Sequence, residues 1–165
     1  MPEIALSGQT DVGLKRANNE DAFMVRSDLN FCLVADGMGG AAAGELASRY
    51  FAESCLKLFS KARADSISGL LLLVQKAFQV ANKCILNHVE QEPRHKGMGC
   101  TAELMAFCDE GFVLGHVGDS RTYRFRNGEF TQLTHDHSLV QNMVDQGMIS
   151  SEEARYHSHR NVILR

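Results

Sequence analysis

Apolar and polar positions along this chain follow two periods in turn, and each change of period marks an element. Residues 3–8 read as a short strand leading into a Gly/Thr/Asp turn. Residues 22–27 and 31–35 are apolar with Asp28-Leu29-Asn30 between them, the pattern of a β-hairpin. The second of these runs, Phe31-Cys32-Leu33-Val34-Ala35, has no polar interruption, so it predicts a strand buried on both faces that delivers Asp36 at its end. From residue 43 to 62 the spacing becomes helical, with Leu46, Tyr50, Cys55, Leu58 and Phe59 near one face. A second helix is predicted over 66–90, where Ile67, Leu70, Leu71, Val74, Phe78, Ala81, Ile85 and Val89 follow the i, i+3, i+4 rule. Residues 90–96, with Pro93, form a polar loop.

Strand periodicity returns at 101–107 and 112–117, joined by Cys108-Asp109-Glu110-Gly111. Residues 120–125 and 129–133 form another hairpin through Arg126-Asn127-Gly128, since Asn-Gly is a strong hairpin-turn signal. Two short helices follow over 138–147 and 150–156, the second opened by Ser150-Ser151-Glu152-Glu153, which supplies an N-cap and first-turn acids. The order β-β-β, α-α, β-β-β-β, α-α predicts an α+β fold of antiparallel sheets with helices packed outside.

Composition narrows the class. The chain has 165 residues, 44% hydrophobic and 22% charged, which fits one globular domain. A net charge of −3 argues against a general nucleic-acid binder. The five cysteines are odd in number and contain no CxxC pair, which suits reduced thiols rather than a disulfide framework or a zinc ribbon. No basic segment followed by an apolar one opens the sequence, and the longest unbroken apolar stretch, residues 70–74, is too short to span a bilayer. The expectation is a cytoplasmic protein.

The candidate chemistry lies in acidic clusters set beside glycine or a basic residue: Arg16-Ala17-Asn18-Asn19-Glu20-Asp21, Asp36-Gly37-Met38-Gly39-Gly40, and Val117-Gly118-Asp119-Ser120-Arg121. Carboxylates next to glycines that expose backbone oxygen suit hard divalent cations, and an arginine nearby suits a phosphate. Each has a plainer alternative. Asp36 could ligate a metal with the Gly37 carbonyl, or it could cap a strand-to-helix turn. Glu20 and Asp21 are adjacent, so in extended backbone they point opposite ways and do not chelate one ion together. Arg16 could clamp a phosphate or simply pair with Glu20, and Asp119 could be a turn aspartate paired with Arg121. His135, His137, His157 and His159 form two HxH pairs that could bind zinc, although no cysteine joins them. His116 falls within an apolar strand and reads as a satisfied core residue. No acid/base partner can be placed for Ser120 or the cysteines as nucleophiles.

Taken together and in order, these segments resemble the metal-dependent protein serine/threonine phosphatases of type 2C, the PPM family, in their compact bacterial form. The matching stretches are Thr10-Asp11-Val12-Gly13; Arg16 with Asn19-Glu20-Asp21; VADGMGG at 34–40; Gly97-Met98-Gly99-Cys100-Thr101; HVGDSR at 116–121; LTHDHS at 133–138; and residues 157–165. The resemblance implies a β-sandwich of two antiparallel sheets flanked by helices. It implies dephosphorylation of phosphoserine and phosphothreonine in proteins by a water activated between two Mn²⁺ or Mg²⁺ ions, with a third ion in bacterial members. Asp36 would bridge the two metals, the Gly37 carbonyl would bind one, and Glu20 and Asp21 would hold metal-bound waters. Arg16 would grip the substrate phosphate and Asp119 would serve the third ion. Residues of about 138–161, ending at Asn161, would be the flap that shapes access to substrate. The partners implied are a phosphoprotein substrate and a cognate Ser/Thr kinase, with neither nucleic acid nor membrane.

The chain departs from the family pattern in three places. Met38 stands where many eukaryotic members have a histidine, and Cys100 where threonine is common. The family continues past the position of Arg165 with Ser-Asp-Gly and Asp-Asn motifs that supply its remaining metal ligands, and neither motif is in this chain. The expectation is therefore a single truncated phosphatase domain over 1–165, incomplete at its C-terminus and weak or inactive alone, with self-association through exposed sheet edges. The alternative is a non-catalytic phosphoprotein-binding or regulatory module.

Overall fold

The computed structural model describes residues 4–39 and 43–164. Glu3, Gly40 and Arg165, which figured in the expectations above, lie outside the described residues. Two compact units divide the fold, Met1–Gly115 and His116–Arg165.

In the first unit, strands β1 (Asp21–Arg26) and β2 (Phe31–Met38) form the predicted hairpin. Its turn is a single 3₁₀ turn over Ser27–Leu29, closed by Arg26 donating to both oxygens of Asp28 at 2.8 and 2.6 Å. Asn30 ends it in the left-handed region, φ 57°, which asparagine tolerates better than most side chains. Helices α1 (Ala43–Phe59) and α2 (Ile67–Gln91) follow, then β3 (Gly99–Cys100), β4 (Ala102–Cys108) and β5 (Gly111–Val117). The sheet runs in the order β1-β2-β4-β5, with β3 paired to the end of β2.

The structure corrects the expectation that β2 is buried on both faces. Phe31, Leu33, Ala35 and Gly37 are buried, whereas Cys32, Val34, Asp36 and Met38 face a more open side. Only one face meets the helices. There Phe31 packs on Phe59 with ring centroids 4.7 Å apart, and alanines 35, 52, 77 and 81 let the backbones approach closely. The buried stripe of α1 is Ala43, Ala47, Ser48, Phe51, Ala52, Cys55 and Phe59. The larger Leu46, Tyr50 and Leu58, expected on that stripe, stand beside it half-buried, because small residues fit nearest the sheet. On α2, Leu73 is buried and the expected Leu71 is exposed. By length and composition α2 could span a bilayer. Here it is amphipathic: Leu70, Val74, Ala77, Ala81 and Ile85 enter the core, while Lys76 and Lys83 are exposed.

No strand is formed over residues 4–8. A strand needs a hydrogen-bonding neighbour, and this segment instead lies along β1, so close that a Cβ on Gly8 would stand 2.5 Å from the Phe23 ring.

The second unit contains the hairpin β6 (Tyr123–Arg126) and β7 (Glu129–Gln132). Asn127 and Gly128 both take positive φ, 53° and 83°, as a two-residue type I′ turn requires. Helices α3 (Leu139–Asp145) and α4 (Ser151–Tyr156) are capped by Ser138 and Ser150. The Ser150 cap is reciprocated by Glu153, a capping box. A β-bridge between Ser138 and Ile163 ties the end of this segment to its start.

Candidate functional site

Asp36 does not end its strand. It lies inside β2, directly opposite Asp21 on β1. Cross-strand partners share a face and their Cβ atoms stand about 4.5–5.5 Å apart. Two carboxylates are therefore held side by side on the open face of the sheet, and both are exposed. Like charges in this position repel, and a cation between them removes the repulsion.

Several backbone contacts fix this pair. The Asp36 N–H donates to Thr101 Oγ1 at 3.0 Å, and the Thr101 N–H donates to the Asp36 carbonyl at 2.8 Å. The Gly37 N–H donates to the Glu20 carbonyl at 3.1 Å, and Ser48 Oγ donates to the same carbonyl at 2.7 Å. Gly37 is required by this packing: a Cβ there would meet the Gly44 carbonyl oxygen at 2.1 Å and the Glu20 carbonyl oxygen at 2.5 Å. Gly44 is equally confined, since its Cβ would stand 2.8 Å from Glu20 Oε1. The Glu20 carboxylate thus approaches the first turn of α1, while Asp21 lies beside Asp36.

Arg16 is exposed and sits 3.9 Å from Glu20, the plainer of its two expected contacts. At that distance and exposure the pair is weak, so the guanidinium is available to a stronger anion. Cys100 on β3 lies close to Asp36. Its thiol is pushed up to about 12, first by burial and then by the Asp36 charge, which makes it a poor nucleophile at neutral pH.

Asp119 and Asn161 belong to the second unit and line one cavity of about 450 Å³ there. Asp119 is half-buried. Its expected partner, Arg121, is taken by Asp136 instead, in a bidentate pair of 2.8 and 2.7 Å that lifts the guanidinium further above its ordinary value. Asp136 is nearly buried, so it outcompetes a more exposed aspartate for the fork-shaped cation. His116 is half-buried rather than a core residue; its Nε2 bonds the His135 carbonyl at 2.8 Å and its ring meets His137. His135 pairs with Asp145 at 2.7 Å, and the rings of His157 and His159 are 5.5 Å apart.

Among the described residues no three His, Cys, Asp or Glu side chains converge as a closed metal cage. The donors present are carboxylate and carbonyl oxygens on one sheet face. They fit a hard cation that keeps several of its waters, and not a thiolate- or imidazole-bound one. Residue-by-residue reading of the sequence missed Thr101, Ser48 and Gly44, whose roles depend on contacts across 65, 28 and 7 positions. It also passed over Glu103, 4% exposed within apolar β4, where a carboxylate in a period-two strand was a visible signal.

Comparison with known proteins shows the family of the chain. The family model described as Protein phosphatase 2C matches residues 14–160. The serine/threonine protein phosphatase PstP of Mycobacterium tuberculosis is 41% identical over 163 residues, which covers 98% of this chain and 30% of PstP. Protein phosphatase PhpP of Streptococcus pneumoniae is 34% identical, covering 97% of this chain and 66% of PhpP. The crystal structure of PstP superposes with a TM-score of 0.86 at 40% identity, over 95% of this chain and 65% of that one. The PstP catalytic domain in complex with two manganese ions superposes with a TM-score of 0.81 over 88% of this chain and 61% of that one. The fold is the α+β fold of these phosphatases. The chain spans less than two thirds of the length of these relatives.

Proposed function

This chain belongs to the protein phosphatase 2C family, and we propose that the protein carrying it removes phosphate from phosphoserine and phosphothreonine in proteins with the help of Mn²⁺ or Mg²⁺. The observation that carries the proposal is the cross-strand pair Asp21 and Asp36, held beside Gly37 on one face of the sheet. The two manganese ions named for the PstP catalytic domain support the choice of cation.

Asp36 and the Gly37 carbonyl would hold the ions, with Glu20 and Asp21 orienting water bound to them. Asp119 would serve a third ion. Such ions, when bound, acidify a water and neutralise charge on the phosphoryl group. Arg16 offers a planar, two-pronged donor for the substrate phosphate once it leaves the weak contact with Glu20. The thiols of buried Cys55 and half-buried Cys100, both pushed up to about 12, favour a hydrolytic route over a cysteinyl-phosphate one. Residues 138–161, ending at Asn161, would form the flap over the substrate. The partners proposed are a phosphoprotein and the kinase that made it. Its free cysteines support a reducing, cytoplasmic compartment.

Mn²⁺ titration of the 165-residue chain, followed by electron paramagnetic resonance, tests the site. Saturable binding that disappears in Asp36→Asn supports the proposal. Binding that is indifferent to Asp36 sinks it.

A further inference from the structure

Three side chains from three elements form one hydrogen-bonded chain at the flank of the first unit, and the proposed chemistry uses none of them. The Tyr50 hydroxyl on α1 bonds His88 Nδ1 on α2 at 3.0 Å, and His88 Nε2 bonds His95 Nδ1 at 2.8 Å. His95 closes the 3₁₀ turn Pro93–His95 that leads into β3, and its ring stacks on that of His88 with centroids 5.1 Å apart. All three side chains are half-buried. From His95 the connection to the carboxylate pair is short. Its carbonyl accepts from the Met98 N–H at 3.0 Å. Met98 is buried with Ala43, Ala47 and Ile85, and its Cα lies so close to Gly39 that a Cβ there would stand 2.8 Å away. Gly99 and Cys100 then pair with Met38 and Gly37, and Thr101 bonds both the N–H and the carbonyl of Asp36.

Proton counting sets what this chain tolerates. A neutral imidazole has one N–H and one acceptor nitrogen, and a charged imidazole has two N–H groups. With no added proton, Tyr50 donates to His88 and His88 to His95, or both bonds run the other way. With one, a charged His88 donates to the Tyr50 oxygen and to His95 Nδ1, and both bonds survive. With two, the N–H groups of His88 and His95 face each other, so their bond is lost and two positive charges repel. Nearby groups do not offset that charge. Glu53 and Lys57 of α1 and Cys84 of α2 line the recess beside His88, but Glu53 lies between Arg49 and Lys57 at 3.9 and 3.8 Å. Beside His95, Arg94 pairs with Glu92 at 3.1 Å and Lys96 is exposed. Among the described residues neither imidazole pairs with a carboxylate.

From the chain Tyr50–His88–His95 we infer that these residues form an acid-sensitive latch on β3. With at most one added proton the latch is closed and holds β3 against β2; a second proton opens it and loosens the corner at Asp36 and Gly37. Imidazoles with ordinary surroundings change charge between pH 5 and 8, so the latch is closed above that window and opens as pH falls through it. A metal site at this corner would weaken in acid. That consequence rests on the phosphatase reading, whereas the latch itself does not.

Backbone amide exchange on the full chain without metal tests it, read at Met98, Thr101 and Asp36 at about pH 7.5 and about pH 5 and corrected for the intrinsic pH dependence of exchange. Protection in the native chain is expected to fall about three- to tenfold in acid, the effect of losing one hydrogen bond. His95→Asn keeps an uncharged hydrogen-bonding group where Nδ1 stood, and its protection is expected to be the same at both pH values. His95→Ala is expected to be as open at neutral pH as the native chain is in acid. Native protection that does not change with pH overturns the inference, as does an acid loss of equal size in His95→Asn. Should a variant misfold by circular dichroism, NMR of the imidazole nitrogens in the native chain decides. Both rings must become charged over the pH range in which Met98 loses protection, and two charged rings with Met98 still protected overturn the inference. Because no arm contains Mn²⁺, a failed latch leaves the metal proposal standing, and a failed metal site leaves the latch standing.

Discussion

Asp21→Asn is the sharpest perturbation of the carboxylate pair, because it removes one charge and little else. The Asp21 N–H still donates to Asn19 Oδ1, and the register with Asp36 is set by backbone bonds. At a separation of about 5 Å in water, two unit charges repel by roughly 0.8 kcal/mol. Screening lowers this to about 0.4 kcal/mol at 0.15 M salt and leaves about 0.7 kcal/mol at 0.01 M. The metal-free variant is therefore expected to be more stable than the native chain by these amounts, about 1–2 °C in Tm. With Mn²⁺ the order reverses. The native chain gains about 1.4 kcal/mol at tenfold excess over its Kd, while a variant with a weakened site gains less. Thermal unfolding at two salt concentrations, with and without Mn²⁺, measures all four states. A metal-free variant less stable than the native chain would refute the reasoning. So would an equal Mn²⁺ gain in the two proteins.

Three other outcomes follow from the same structure. Gly44→Ala brings a Cβ to 2.9 Å from the Gly37 carbonyl carbon, so despite a better helix propensity it should cost a net 1–2 kcal/mol or about that in urea unfolding. Asp136→Asn breaks the bidentate pair with Arg121 and should destabilise the second unit by about 1–3 kcal/mol, read as faster amide exchange in α3 and β7. The Glu153 carboxyl is held below its ordinary value by the Ser150 N–H and hydroxyl. The folded form thus prefers the ionised state, and the cap's contribution is complete above about pH 4.3 and lost as pH falls through the lower folded value. Amide protection in α4 should fall over that window, and Glu153→Gln should flatten the dependence.

Most elements were legible in the sequence, because their signals are local. The Asn127-Gly128 turn, the Ser150 cap and the long α2 periodicity each needed only neighbouring residues. The errors came where tertiary packing decided. Residues 31–35 are uniformly apolar, yet only one face is covered by helices, so hydrophobicity alone could not show that Val34 and Asp36 share an open side. The same face leaves Phe23, Val34 and Phe112 substantially exposed. The segment over 4–8 had a strand's composition and no partner to pair with. The site was legible as a set of acidic residues and as a family resemblance. Its register was not: that Asp21 opposes Asp36 depends on a hairpin closed by Asn30, and Thr101 reaches Asp36 across 65 positions. Arg121 illustrates the limit well, since sequence proximity suggested Asp119 and burial chose Asp136.

Phosphate release by the protein that carries this chain tests the central claim most directly. With Mn²⁺ and a phosphothreonine peptide, steady release is expected, and Asp36→Asn should lower kcat by about a thousandfold or more, since it removes the carboxylate proposed to hold the cation. Arg16→Ala in the same assay should mainly raise KM. A folded, Mn²⁺-binding protein that releases no phosphate, or one whose turnover is indifferent to Asp36, would contradict the account.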